Sequence, residues 1–178
     1  LGELYSLPPK GTIIETLDLS NQNLKSLPAL SPYNIKRVNL SGNDIRHIVL
    51  YEMRYLPPAI EELNLSNCRI GAGNKSNWRQ HIYFYSEYFP NLKVIDISNN
   101  DIESILYPVS VTRLNAANCN AEKVFSYVGK EKKLKYVNVS DNPNMDNTIG
   151  VPPENVDTLI HKNSAKGKKF VYIRYVII

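Results

Sequence analysis

The chain is poor in sulfur and in glycine: two cysteines, two methionines and eight glycines among 178 residues, with a single tryptophan. Two cysteines are too few for the disulfide framework that staples a small secreted domain. No apolar run approaches the ~20 residues that a membrane-spanning helix needs. There is no glycine-rich phosphate loop, no nucleophile elbow and no Cys–His pair at catalytic or metal spacing. His47, His81 and His161 stand far apart, none with a ligand partner nearby in sequence. These absences argue against an enzyme, a resident metal or cofactor, and a small-molecule substrate. An excess of one charge is also missing, since the net charge is only +4. What the chain does have is size, with 43% apolar content and enough residues for one domain with its own core.

The charge is unevenly placed. Residues 1–121 hold 11 basic and 11 acidic side chains, and residues 122–178 hold 10 and 6. The excess lies around Lys130 to Lys135 and in KNSAKGKK, Lys162 to Lys169. Such an end reads first as a solvated lysine-rich surface and second as a patch for an anionic surface. No aromatic residues interleave those lysines.

The dominant feature is a repeat. IETLDLSNQNL starts at Ile14, IKRVNLSGNDI at Ile35, IEELNLSNCRI at Ile60, LKVIDISNNDI at Leu92, VTRLNAANCNA at Val111 and LKYVNVSDNPN at Leu134. A weaker seventh copy, VDTLIHKNSAK, starts at Val156. The sequence resembles the leucine-rich repeat family, with motif L-x-x-L-x-L-x-x-N-x-L, over about residues 14–166. That resemblance implies an α/β solenoid, a curved horseshoe of about seven repeats with a parallel β-sheet on its concave face. In each copy the L-x-L portion is a short strand whose fourth and sixth side chains point inward and whose fifth points outward. No repeat can bury its own apolar face, so stacking must make one continuous core. The ninth residue turns inward, where Asn can hydrogen-bond backbone groups that the turn leaves unpaired. Cys68 and Cys119 occupy that slot in the third and fifth copies, and Gln22 departs from it in the first. With strands ~4.8 Å apart, two repeats separate the cysteines by roughly 9–10 Å. A disulfide needs Cα atoms about 4.4–6.8 Å apart, so both thiols should be free, buried and inert.

The domain reads as one unit over 1–178, with 1–13 a degenerate first repeat or cap, repeats over 14–166, and 167–178 a C-terminal strand or cap. Phe170 to Ile178 alternates in a β-prone pattern that could cover an open edge. The third interval carries an insertion over 71–91. Ser76 as N-cap, with Trp78, Ile82, Tyr85 and Phe89 at spacings of four, three and four, predicts a helix of about three turns ended before Pro90. Half of its six aromatics (Trp78, Tyr83, Phe84, Tyr85, Tyr88, Phe89) should plug the core, and the other half could form an exposed hot spot. A turn or two of helix is expected in Arg46 to Leu56. Asp44 and Asp101, at the tenth repeat position, are expected to be solvated.

In the family, positions two, three and five of each strand form the usual contact surface. Across the first four copies they alternate in sign, acidic then basic, which weakens the field a polyanion would meet and argues against nucleic acid. From the fourth strand on, Lys93, Arg113 and Lys135 stand with no acidic partner expected at positions two and three, beside Val94 and Tyr136. The partner-binding residues expected from this pattern are Lys93, Val94, Asp96, Arg113, Asn115, Lys135, Tyr136 and Asn138, together with Trp78 of the insertion. The implied partner is another protein. Family resemblance points to innate-immune recognition, host–pathogen contact or signalling scaffolds, or else to the recognition arm of a larger ubiquitin ligase or kinase. Of the N-x-S/T triplets at Asn39, Asn64, Asn74 and Asn138, only Asn74 lies off the expected sheet. The chain opens on Leu, as a processed product or a piece of a longer protein would. It lacks the cysteine-rich caps common in extracellular animal relatives, which leans towards an intracellular protein, a bacterial or viral one, or an excised fragment.

Overall fold

The computed structural model of the protein describes residues 9–48, 50–73, 80–126, 133–151 and 153–171. Ten strands occur among these described residues: β1 (Ile13–Asp18), β2 (Asn34–Asn39), β3 (Glu62–Asn64), β4 (Gln80–Tyr83), β5 (Val94–Asp96), β6 (Ile102–Tyr107), β7 (Arg113–Asn115), β8 (Lys123–Ser126), β9 (Tyr136–Asn138) and β10 (Thr158–Ile160). Seven of them, one per repeat, form a parallel sheet in the order β1-β2-β3-β5-β7-β9-β10. The register aligns the fourth repeat positions across it: Leu17, Val38, Leu63, Ile95, Leu114, Val137 and Leu159. Equal side chains at equal heights let each turn use the next as its lid, and most of these residues are fully buried. The end turns are the exceptions: Ile14, Leu17, Leu19 and Leu24 in the first and Val156 and Leu159 in the last are only partly covered, and Ile13 is 58% exposed. An edge turn has a neighbour on one side only.

The ninth position ties the turns together, and it alternates. Asn43, Asn100 and Asn142 each reach back one repeat. Asn100 Oδ1 accepts the Cys68 and Ile70 N–H groups at 3.1 and 3.0 Å, and its Nδ2 donates to the Leu65 and Ile97 carbonyls at 2.9 and 2.7 Å. Asn142 does the same for Cys119 and Ala121, and Asn43 for Gln22 and Leu24. The intervening turns carry Gln22, Cys68, Cys119 and Ser164. Each Cys thiol donates to a carbonyl of the preceding repeat, Cys68 to Leu40 and Cys119 to Ile97, at 3.1 Å in both cases. Gln22 lies outside this pattern, exposed, with its amide turned back to the Ser20 carbonyl. The backbone alternates in step. Asn23, Arg69, Asn120 and Ala165, following those four residues, have φ of 50–58°, whereas the residues following the asparagines do not. Both cysteines are free and buried, as their spacing requires.

The insertion is not helical where it is described. Its residues Gln80–Tyr83 form β4, which pairs in parallel with β6, and β6 with β8, as a second sheet on the return side of the coil. Two forces override the helical spacing. The run IYFY is rich in β-formers whose alternate members, Ile82 and Phe84, are buried. The backbone of β6 also supplies hydrogen-bond partners, as in Phe84 N–H to the Leu106 carbonyl at 2.9 Å. Among the described residues no α-helix occurs; the helical element expected before Pro57 is a 3-10 helix, Leu50–Tyr55. At the other end Phe170 packs on the core and the Val171 N–H bonds the Asn147 carbonyl, neither within a strand. The rest of that expected strand, 172–178, and the first eight residues lie outside the described residues. No helix among the described residues is long and apolar enough to cross a membrane.

Candidate recognition surface

On the outer face of the seven-stranded sheet, the repeat positions form rows running across the strands. In the second-position row, Glu15 receives Lys36 at 2.9 Å and also Arg37 at 3.3 Å. Lys93 reaches Glu61 at 2.6 Å, and Lys135 stands 3.8 Å from Asp157. The hydrogen bond from Lys36 holds the Glu15 carboxyl below its ordinary pKa, and the one from Lys93 does so for Glu61. Two expectations are corrected here. Lys93 and Lys135 both have acidic partners, because each long side chain reaches along its row to the carboxylate just before a neighbouring strand, Glu61 before β3 and Asp157 before β10.

The third-position row runs Thr16, Arg37, Glu62, Val94, Arg113, Tyr136, Thr158. Arg113 differs from every other cation on this face. Its guanidinium lies over the Tyr136 ring, 3.7 Å from the centroid, and among the described residues no carboxylate pairs with it. Val94 flanks it on the other side, half-buried.

The fifth-position row has a structural duty that the repeat text hides. Asp18, Asn39, Asn64, Asp96, Asn115 and Asn138 each turn Oδ1 back to accept the N–H two residues on, at 2.9–3.4 Å. These side chains end the strand as Asx-turns. Asp96 also accepts the Ser98 hydroxyl and the Asn115 amide, at 2.7 and 3.0 Å, so both of its oxygens hold neutral donors of the chain. Towards the first repeats the face dips into a depression of about 310 Å³ lined by Arg37, Asn64, Val94 and Asp96 among others. Of the residues expected from sequence, Lys93, Val94, Asp96, Arg113, Asn115, Lys135, Tyr136 and Asn138 therefore share one face, and Trp78 lies outside the described residues.

Two further surfaces stand out, the first expected from the insertion's aromatics and the second, at the turn edge, not. On the return side, Tyr83, Leu106 and Phe125 align across β4, β6 and β8, with Tyr83 packed edge-on to Phe125 at 6.1 Å. Tyr85 and Tyr88 extend that patch, and Arg54 covers the Tyr88 ring at 5.0 Å while donating to its hydroxyl at 2.7 Å. Phe84 and Phe89 fill the core instead. Period-two alternation over His81 to Phe84 was the signal for this division. At the turn edge, Asp44 is a hub and not a solvated residue: Lys25, Arg46 and Arg69 approach it at 2.7, 2.8 and 3.5 Å, and its side chain is 17% exposed. Those contacts hold its carboxyl well below the usual range, the Arg46 hydrogen bond contributing most. Asp101 accepts the Asn120 amide at 3.1 Å. Among the described residues, no three His, Cys, Asp or Glu side chains are placed to hold a metal ion.

A coil of stacked parallel strands that presents an outward polar sheet defines the class of a protein–protein interaction module. The family model described as Leucine Rich Repeat matches residues 91–114, the turn that holds β5 and β6 and leads into β7. The fold is a parallel-strand solenoid of the leucine-rich repeat kind, and the other turns reproduce the geometry of the matched one. None of the curated proteins matches the chain.

Proposed function

We propose that the chain recognises a partner protein through the concave face of its fourth to sixth repeats, and that it acts by binding alone. Lys93, Val94, Asp96, Arg113, Asn115, Lys135, Tyr136 and Asn138 form the contact surface, with Trp78 contributed by the insertion. One observation carries this reading: elsewhere the cations on the face are matched by carboxylates, whereas Arg113 is exposed and stacked with no such match. A surface that neutralises itself offers a partner little beyond desolvation cost, while an unmatched Arg beside Tyr and Val has the composition of a binding hot spot. The Asx-turns strengthen the reading, since they hold the backbone of the face rigid before any partner arrives.

The test is affinity capture with mass spectrometry, comparing the wild type with a variant carrying Arg113→Glu, Lys135→Glu and Tyr136→Ala. A return-side variant, Lys123→Glu, serves as control. All three replaced side chains of the first variant lie at the surface, so the fold should survive, and circular dichroism checks that it does. A protein held by the wild type and the control, and lost by the triple variant, is the expected result. Equal retention by all three places the binding surface elsewhere.

A further inference from the structure

We infer that the partner inserts an Asp or Glu carboxylate, flanked by an aliphatic side chain, between Val94 and Tyr136 onto the edge of the Arg113 guanidinium; this rests on the concave-face reading above. The argument starts from what Arg113 has left to offer. At 3.7 Å from the ring centroid, the planar guanidinium is in van der Waals contact with the face of Tyr136. Stacking occupies a face of the group and leaves in-plane N–H donors for an acceptor, the fork geometry that matches a carboxylate. Tyr136 also removes rotamer freedom from the arginine in advance, so less entropy is lost when the carboxylate docks.

Among the described residues, no carboxylate of the face takes this place. Glu61 is held by Lys93 at 2.6 Å and Glu15 by Lys36 and Arg37. Asp96, the acidic residue on the neighbouring strand β5, spends its two oxygens on Ser98 and Asn115. Glu62 shares the third-position row with Arg113, but Val94 stands between them, and two strand spacings of ~4.8 Å put it about one Debye length away. Asp157 lies in the second-position row and faces Lys135.

The charge count decides between anions. Lys93 and Lys135 flank Arg113, yet each already has a carboxylate of its own. With both cationic neighbours paired, Arg113 alone is left to meet an anion. A single carboxylate fits its fork, whereas a phosphate dianion would bring a second negative charge close to Asp96 and Glu62, which among the described residues have no cation of their own. The half-buried Val94 on one side and the Tyr136 ring edge on the other favour an aliphatic neighbour to the acidic residue.

A phage-displayed random peptide library selected on the intact domain tests this. The wild type should return peptides enriched in Asp or Glu next to Val, Leu or Ile. Their binding should weaken about tenfold or more in Arg113→Gln, by the loss of a charge-assisted bidentate pair. Tyr136→Phe should retain binding, because the stack survives, while Tyr136→Ala should weaken it. Thr158→Trp, an exposed position beside Tyr136 in register, obstructs the face without touching Arg113. Peptides lost in Thr158→Trp but neutral in composition and indifferent to Arg113→Gln would overturn the carboxylate inference and leave the concave-face reading standing. An empty selection, or peptides indifferent to both variants, would overturn both.

Discussion

Replacing Asn100 with alanine should destabilise the protein by about 4 kcal/mol, and the size follows from which backbone groups are left alone. The amide side chain serves five partners: the Cys68 and Ile70 N–H groups and the Leu65, Ile97 and Ser98 carbonyls. Two of these have a second partner. Ile97 still accepts the Cys119 thiol, and Ser98 still accepts the Asn67 N–H. Cys68 N–H, Ile70 N–H and the Leu65 carbonyl are left stranded beside side chains that are fully buried. At about 1–3 kcal/mol for each unsatisfied buried group, and with some relief from water entering the vacated volume, about 4 kcal/mol is the expected cost. Urea denaturation measures it, with the slope checked to confirm that only stability has changed. Asn142→Ala should cost about the same, because the corresponding groups of Cys119, Ala121 and Ala116 are as deeply buried. Asn43→Ala should cost clearly less: its partners Leu19 and Leu24 belong to the partly covered first turn, where water can replace the amide. A loss below about 1 kcal/mol at Asn100, or equal losses at all three sites, would refute the reasoning.

Three further outcomes follow from other parts of the molecule. Asp44 has a folded-state pKa below its unfolded value of about 3.9, so its ion pairs stabilise above that pH and the contribution is lost as pH falls through the folded pKa. Thermal melts should therefore show Asp44→Asn less stable than wild type near neutrality, with the gap closing in acid. Burial raises the Cys68 thiol pKa and pushes Cys119 up to about 12, so a disulfide reagent at pH about 8 should label neither until denaturant unfolds the chain. Labelling of the native protein at the rate of a free thiol would contradict this. Gly71 has φ +81°, and a Cβ there would sit 1.9 Å from the Asp101 carbonyl oxygen. Gly71→Ala should lower the melting temperature, by more than about 1 kcal/mol in stability terms, whereas Gly11→Ala meets open space and carries only the cost of its positive φ.

The repeat made the main sheet legible in the sequence, since a seven-copy text with buried positions in register leaves one way to stack. The return side was less readable. The insertion around Trp78 satisfied a helical spacing on paper, but Gln80–Tyr83 took its hydrogen bonds from β6, a strand in the next turn that the local pattern does not reveal. The alternation of Asn with Cys at the ninth position was visible. Its coupling to a left-handed backbone at Arg69 and Asn120 was not, because that conformation depends on which atoms of the neighbouring turn need partners. Pairing on the concave face needed the same cross-turn view. Lys93 looks unpaired along its own strand, yet Glu61, 32 residues away, is its neighbour across the sheet. Arg113 emerged as the distinct residue only after every other cation on the face had found its carboxylate.

The most direct test of the central claim is hydrogen–deuterium exchange on the protein with and without the partner it captures. The account predicts added protection in the segments holding β5, β7 and β9, centred on Val94, Arg113 and Tyr136, with the outward strands β4 and β8 unchanged. Protection confined to β4 and β8, with the concave strands exchanging as in the free protein, would contradict it.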